Sequence, residues 1–329
     1  MDNRFYHLEN SVMFNLSLSS KELFHSNLLA YLFKKDNTLF CKIIGVAPFQ
    51  FEIKKEYKNI DIEIVGKNKK YLIENKVKDI IGNEQLEKIE NSCKKGEYEK
   101  LYLFSLLGNN LETIGINNEL WCEIGYEKIV DILNKHNFND SYINALKIDY
   151  CNFVLILISL IKEQYINCNN YILYYKNDIV KNFKKVKLHD VFMKYGMSHF
   201  LNYFKSTVKN DIKYKSSINR GKGTMQFFQK INDIEYGIET EDLDYRRYII
   251  GDIKSRDYFE NIGWFDKNWK SASGKNYLKY ESEKYGKDKI FWYQNGFKNR
   301  NMENINYNDL VDYIKNDINI VCKNSPNFV

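Results

Sequence analysis

The sequence is poor in the residues that build metal fingers, cross-links and linkers. Its six cysteines, at 41, 93, 122, 151, 168 and 322, include no CxxC pair, and none stands at metal-ligand spacing from the five histidines. A zinc or disulfide framework is therefore not the organising principle, and the thiols read as small buried residues of a reducing compartment. The longest apolar run, Phe153 to Ile161, is much shorter than the ~20 residues that a transmembrane helix needs. The opening residues, MDNRFYHLENS, carry charges where a secretory signal needs an apolar centre. The expectation is a cytoplasmic protein with no membrane partner. Internal repeats and flexible linkers are lacking, and there are only two prolines. Charge of one sign is lacking as well: 49 basic against 43 acidic side chains leave +6, which permits a polyanionic partner without demanding one.

What is present is enough for a core, since 44% of 329 residues are hydrophobic, room for one large domain or two ordinary ones. Aromatics reach 16%, with 26 tyrosines beside abundant Asn, Lys and Ile. That mix also arises in AT-rich genomes and carries little functional weight.

From Ser19, the pattern SSKELFHSNLLAYLFKK puts Phe24, Leu28, Tyr31 and Leu32 on one stripe of an amphipathic helix. Phe51 to Tyr57, Ile60 to Val65 and Tyr71 to Val77 are short, rich in Ile, Tyr and Val, and separated by turn-like Lys, Asn and Gly; they read as three consecutive strands. A polar helix opens at Gly82 and runs to about Lys95, and the apolar run KLYLFSLLG suits a central strand buried on both faces. LWCEI reads as another strand, followed by helices from Gly125 to His136 and Ser141 to Gln164. The charged stretch Lys176 to Lys187 leads to a helix from Lys187 to Lys205. After Asp211, the segments IKYKSSI, TMQFFQKI, IEYGIET and YRRYIIGDI read as an antiparallel meander, and a final helix begins at Tyr307. The expected division is 1–175 and 176–329, with a soft boundary near 170 to 185 and the second part serving substrate or partner recognition.

Alternation along the third strand puts Leu72, Glu74 and Lys76 on one face and Tyr71, Ile73, Asn75 and Val77 on the other. The strand before it sends Asp61 and Glu63 to one face. With a loop from Lys67 to Lys70 and Gly66 facing Tyr71, Glu63 lies opposite Glu74 and Asp61 opposite Lys76, all on one face. Two carboxylates and a lysine are what metal-assisted phosphodiester hydrolysis needs. Asp61 and Glu74 offer oxygen ligands to Mg²⁺, and Lys76 can position a water or offset charge on the phosphate. A solvated strand face with cross-strand pairs would read the same way.

The run Asn59-Ile60-Asp61-Ile62, then LIENKV, then Gln85-Leu86 opening a helix, resembles the PD-(D/E)XK nuclease superfamily, in particular the branch with an IENK third strand and a downstream QL pair. The order helix, three strands, helix, strand is similar to that superfamily's core. The resemblance implies that its motif falls on Asp61, Glu74 and Lys76, that Glu22 in the first helix joins Asp61 and Glu74 at the metal, and that Gln85 borders the site. It covers residues 15 to 108, about a third of the chain. No proline precedes Asp61, where Ile60 stands instead, a departure that many members share.

Each flanking candidate has a second reading. Glu22 also completes a capping box with Ser19. Glu56 could join the metal ligands from the end of its strand, but among Lys54, Lys55 and Lys58 it reads better as surface pairing; Glu63 reads as a supporting or alternative ligand; Gln85 reads equally as a solvent-facing residue. His25 is read as structural. The tract Lys213, Arg220, Lys222, Phe227 and Phe228 could follow a phosphate backbone and stack on bases, although core packing explains the aromatics better. Arg246 and Arg247 point to opposite faces, and GKG at 221–223 is a turn rather than a phosphate loop.

The expected fold is α/β, a restriction-endonuclease-like core followed by a helical region and an antiparallel-strand region. The expected activity is Mg²⁺- or Mn²⁺-dependent hydrolysis of DNA, in the setting of restriction, repair or defence that the resemblance implies. Its rivals are an RNA-directed nuclease with the same site and a non-catalytic nucleic-acid- or protein-binding subunit that keeps the fold. A homodimer suits duplex cleavage, which takes two cuts where one site makes one.

Overall fold

The computed structural model describes residues 3–18, 23–57, 60–77, 83–93, 96–108, 111, 119–165, 178–208, 212–219, 222–241, 244–265, 270–271, 290–295, 302 and 305–324. The protein is mixed α/β and forms two compact units, one from Met1–Asn167 with Lys185–Val191, the other from Cys168–Lys184 with Phe192–Val329.

In the first unit, α1 (Asn3–Asn10), α2 (Val12–Ser17), α3 (Leu23–Lys35) and α4 (Asn37–Ile44) precede the strands β1 (Phe51–Tyr57), β2 (Ile60–Gly66) and β3 (Lys70–Lys76). Then come α5 (Asn83–Ser92), β4 (Lys100–Ser105), β5 (Trp121–Gly125), α6 (Tyr126–Lys135) and α7 (Ser141–Tyr165). The strands make one mixed sheet in the order β1-β2-β3-β4-β5, antiparallel from β1 to β3 and parallel from β3 to β5. β3 and β4 are buried along nearly their whole length, so the KLYLFS run of β4 needs no polar alternation. α5 docks through Leu86 and Ile89 onto Leu72, Leu101, Leu103 and Trp121. Fully burying each such side chain contributes about 1.5–3 kcal/mol, enough to hold a short polar helix against the sheet.

Two expectations about this unit are corrected. The buried side of α3 is His25, Ser26, Leu29, Leu32 and Phe33, whereas Tyr31 is exposed and Phe24 and Leu28 are only half-buried. The helix is rotated because the polar pair His25 and Ser26 has hydrogen-bond partners inside, Tyr150 and Asn75. The β2–β3 register is also shifted by two residues. Ile62 faces Ile73, Glu63 faces Leu72 and Val65 faces Lys70, so the hairpin tip is Lys67-Asn68 and not a four-residue loop. The Gly66 N–H donates to the Lys69 carbonyl at 2.8 Å, and a Cβ at Gly66 would stand 2.8 Å from the Phe49 ring, so a side chain there would have to displace the ring. A shift of two preserves parity, and Asp61, Glu63, Glu74 and Lys76 keep a common face.

α4 is an element the pattern did not announce, although both its caps stand in the sequence. Asp36 accepts from the Thr38 N–H at 2.8 Å, and Gly45 takes the left-handed conformation after the last turn. α7 contains a 24-residue stretch long and apolar enough to cross a membrane by length and composition, with half of its most apolar 18-residue window buried within the protein.

The second unit holds α8 (Asp178–Lys185) and α9 (His189–Thr207), apart from Lys185 and His189–Val191, which belong to the first, then β6 (Lys213–Asn219), β7 (Lys222–Ile231), β8 (Ile234–Glu241), β9 (Asp244–Gly251), α10 (Ile253–Asn261), β10 (Lys270–Ser271), β11 (Ile290–Asn295) and α11 (Tyr307–Asn324). The charged stretch after Lys176 is therefore a helix in its own right, and the end of YRRYIIGDI turns into α10 at the Asp252 cap. The sheet is antiparallel throughout, in the order β10-β11-β9-β8-β7-β6, which extends the expected meander by two strands. Phe227 packs on Phe200 and Phe204 of α9. Of the cysteines, Cys41 and Cys151 are buried as expected, whereas Cys122 and Cys322 are exposed.

Candidate active site

β2 and β3 stop pairing where the candidate residues begin. The ladder ends at Ile62 opposite Ile73, and the next β3 amide on that side, that of Asn75, donates instead to Asp61 Oδ2 at 2.8 Å. The Asp61 carboxylate thus spans a fork between the strands and lies beside the Glu74–Asn75 peptide. A buried amide needs an acceptor, and a carboxylate at this position serves while leaving the strands apart.

Glu74 and Lys76 project from the same face of β3, and Lys76 Nζ lies 2.9 Å from Glu74 Oε1. Gln85, in the first turns of α5, donates from Nε2 to that same oxygen at 2.7 Å. Glu74 is 3% exposed and Lys76 9%, so the pair sits largely out of water at the carboxyl end of a parallel strand set. The packing of Leu86 onto the sheet is what aims Gln85 at Glu74. Asp61, Glu74, Lys76 and Gln85 therefore come together. Glu22 lies outside the described residues, as do Lys58 and the side chain of Glu56.

Glu63 does not join them. Opposite Leu72 and 1% exposed, it accepts from the Tyr98 hydroxyl at 2.7 Å and pairs with Lys54 Nζ at 3.6 Å. Burial and the adjacent Glu63 carboxylate push the Tyr98 phenol well above its ordinary range, which keeps it a proton donor to Glu63. His25 is wholly buried, with Nδ1 3.0 Å from the Tyr150 hydroxyl.

Sequence reasoning missed two groups at this end of the sheet. Ser105, which faces Lys76 across the β3–β4 ladder, donates to Glu123, and the other Glu123 oxygen accepts the Leu111 N–H at 2.8 Å. Asn75 is buried on the back of β3 against Ser26 and Tyr126. A lone Asn on a face otherwise occupied by Tyr71, Ile73 and Val77 was the available signal, because a buried amide implies partners.

The other candidates lie in the second unit. Phe227 is core, and Phe228 is half-buried under Lys215, whose Nζ lies 5.0 Å from the ring centroid. Lys213 is exposed, Arg220 lies outside the described residues and so does the side chain of Lys222. Arg247 is buried, donating to Asp317 at 2.8 Å and to the Trp264 carbonyl at 3.0 Å. Arg246, on the opposite face, is surrounded by Glu239 at 3.0 Å, Asp244 at 3.2 Å and Glu241. Burial alone would lower its pKa, but Glu239 and Glu241 raise it, and the acids around it offset its charge.

Among the described residues, no three Asp, Glu, His or Cys side chains gather into a ready metal cage. Two carboxylates, Asp61 and Glu74, stand one step past the last ladder pair, with Asp61 hydrogen-bonded to the amide of the residue after Glu74. Compared with known proteins, the chain matches no family model, no curated protein and no solved structure.

Proposed function

We propose that the protein is a divalent-metal-dependent nuclease with a restriction-endonuclease-like core, acting on DNA through Asp61, Glu74, Lys76 and Gln85. The observation that carries this reading is the convergence at the β2–β3 fork: Lys76 and Gln85 both hold Glu74 Oε1, with Asp61 anchored on the next peptide. Mg²⁺ or Mn²⁺ fits such a donor set. Magnesium takes one or two hard carboxylate oxygens and completes its shell with water and phosphate, so a three-residue cage is not required. Asp61 and Glu74 carry −2 against the +1 of Lys76, leaving −1. A divalent ion reverses that to +1, opposite the single negative charge of a phosphodiester.

A bound ion would lower the pKa of an attacking water and polarise the phosphoryl group. The protein's own contribution is orientation and charge. Gln85 fixes the rotamer of Glu74, Asp61 keeps the strands apart, and Lys76 supplies a cation that offsets charge developing on the phosphate. Hydrolysis adds water across one P–O bond: the attacking oxygen loses a proton and the departing oxygen gains one. The roles given to Asp61, Glu74, Lys76 and Gln85 do not depend on the sugar, so RNA would be distinguished from DNA by contacts to the 2′-OH elsewhere.

A second reading, a non-catalytic binding subunit, is favoured by the internal engagement of both acids, each already hydrogen-bonded within the protein. Calorimetric titration with Mg²⁺ and Mn²⁺ separates the two. Binding by the wild type that is lost in Glu74→Gln and Asp61→Asn supports the nuclease; a wild type that binds neither ion supports the subunit.

A further inference from the structure

The back of β3 carries a polar chain that the front-face site does not use. Asn75 stands between Glu74 and Lys76, and alternation turns its side chain away from theirs, into the protein, where it is wholly buried. It is tied at three points. Its N–H donates to Asp61 Oδ2 at 2.8 Å, its Nδ2 donates to Ser26 Oγ at 3.3 Å, and its Oδ1 accepts from the Tyr126 hydroxyl at 2.7 Å. The Tyr126 oxygen in turn accepts from the Tyr150 hydroxyl at 3.3 Å, and His25 Nδ1 lies 3.0 Å beyond. Every member of this chain is buried, on three helices, α3, α6 and α7, that surround one residue of one strand.

An aliphatic residue at 75, like Ile73 two positions earlier, would fill this space without needing partners. What the amide adds is direction, because hydrogen bonds fix orientation where apolar packing tolerates rotation. Side chains at neighbouring strand positions turn together about the strand axis. Restraints on Asn75 from three sides therefore fix the direction in which Glu74 and Lys76 leave the opposite face. Sites of this kind work only when held within about 0.5 Å and 10–20° of their productive geometry.

We propose that Asn75, braced by Tyr126 and Ser26, is a positioning residue that sets the Glu74–Lys76 pair in its active arrangement. The proposal rests on the nuclease reading for its consequence in catalysis, but not for its geometry.

The test compares Tyr126→Phe and Asn75→Leu with Tyr71→Phe. The control removes a hydroxyl hydrogen bond, 2.9 Å to Glu99, from the same face of the same strand, away from the site. With Mg²⁺ and a linear duplex, Tyr126→Phe and Asn75→Leu are expected to lower kcat at least tenfold with KM unchanged within twofold, while Tyr71→Phe changes neither beyond twofold. In crystal structures of the metal-free proteins, the 2.9 Å Lys76–Glu74 contact should open in the first two variants and persist in the control. Tyr126→Phe, the gentlest change, carries the test if Asn75→Leu does not fold. The proposal is overturned if the contact persists in Tyr126→Phe, or if Tyr71→Phe loses kcat equally. Should the wild type cut nothing, the crystal structures still decide the positioning claim, and only the nuclease reading falls.

Discussion

Replacing Lys76 with methionine removes the cation from a pair in which both partners are nearly out of water. Methionine keeps most of the stem's volume, so the effect is chiefly electrostatic. Taking one partner from a buried pair costs about 3–5 kcal/mol, because the remaining charge is stranded. Here Gln85 still donates to the same Glu74 oxygen, and hydrogen bonds to charged groups contribute about 1.5–3 kcal/mol. The loss should therefore fall at or below the lower limit, about 2–3 kcal/mol in EDTA. In Glu74→Gln/Lys76→Met no charge is stranded, and the double variant should be more stable than Lys76→Met, with a coupling of about 1 kcal/mol or more. Hydrogen exchange of the β3 amides measures the local opening free energy for the wild type, Lys76→Met, Glu74→Gln and the double variant. A Lys76→Met loss under about 0.5 kcal/mol, or strict additivity in the double variant, would refute the idea that Lys76 and Glu74 act as a buried pair.

Asp61→Ala leaves the Asn75 amide without its acceptor, so β3 protection should fall by about 1–3 kcal/mol, as read by the same exchange experiment. In the second unit, Arg247→Met strands Asp317 and should cost about 3–5 kcal/mol in urea unfolding, since this arginine is a core residue. Asp252 caps α10; hydrogen bonds from the Ser255 side chain and amide hold its carboxyl below its ordinary value of 3.8. A depressed folded-state pKa gives stability that is present above the unfolded value and lost as pH falls through the folded one. Asp252→Ala should thus cost about 0.5–2 kcal/mol at neutral pH, with the gap to wild type closing in acid urea titrations.

Much of the first sheet was legible because β1 to β4 announce themselves by residue type and by turns whose composition leaves few alternatives. The shared face of Asp61, Glu74 and Lys76 followed from alternation, which survives any even register shift. For the same reason the shift itself was invisible: a two-residue tip and a four-residue loop give the same parity, and the Gly66–Lys69 hydrogen bond that closes the shorter one has no signature in the residue pattern. The phase of α3 was misjudged because His25 and Ser26 look like surface residues until Tyr150 and Asn75, far along the chain, supply their partners. Glu63 was ambiguous in the same way, since its partner Tyr98 lies on the approach to β4. β11 pairs with β9 from about forty residues away, a distance over which local pattern carries no pairing information. Local chemistry was readable, and long-range polar partnership was not.

The most direct measurement is cleavage by the purified wild type and Lys76→Ala of supercoiled plasmid, linear duplex, single-stranded DNA and RNA, each with Mg²⁺, Mn²⁺ or EDTA. The expected result is divalent-dependent cutting of DNA by the wild type, abolished by EDTA and in Lys76→Ala, with Mn²⁺ binding retained in the variant because Asp61 and Glu74 remain. Equal cutting by both proteins, or cutting that survives EDTA, would contradict the account.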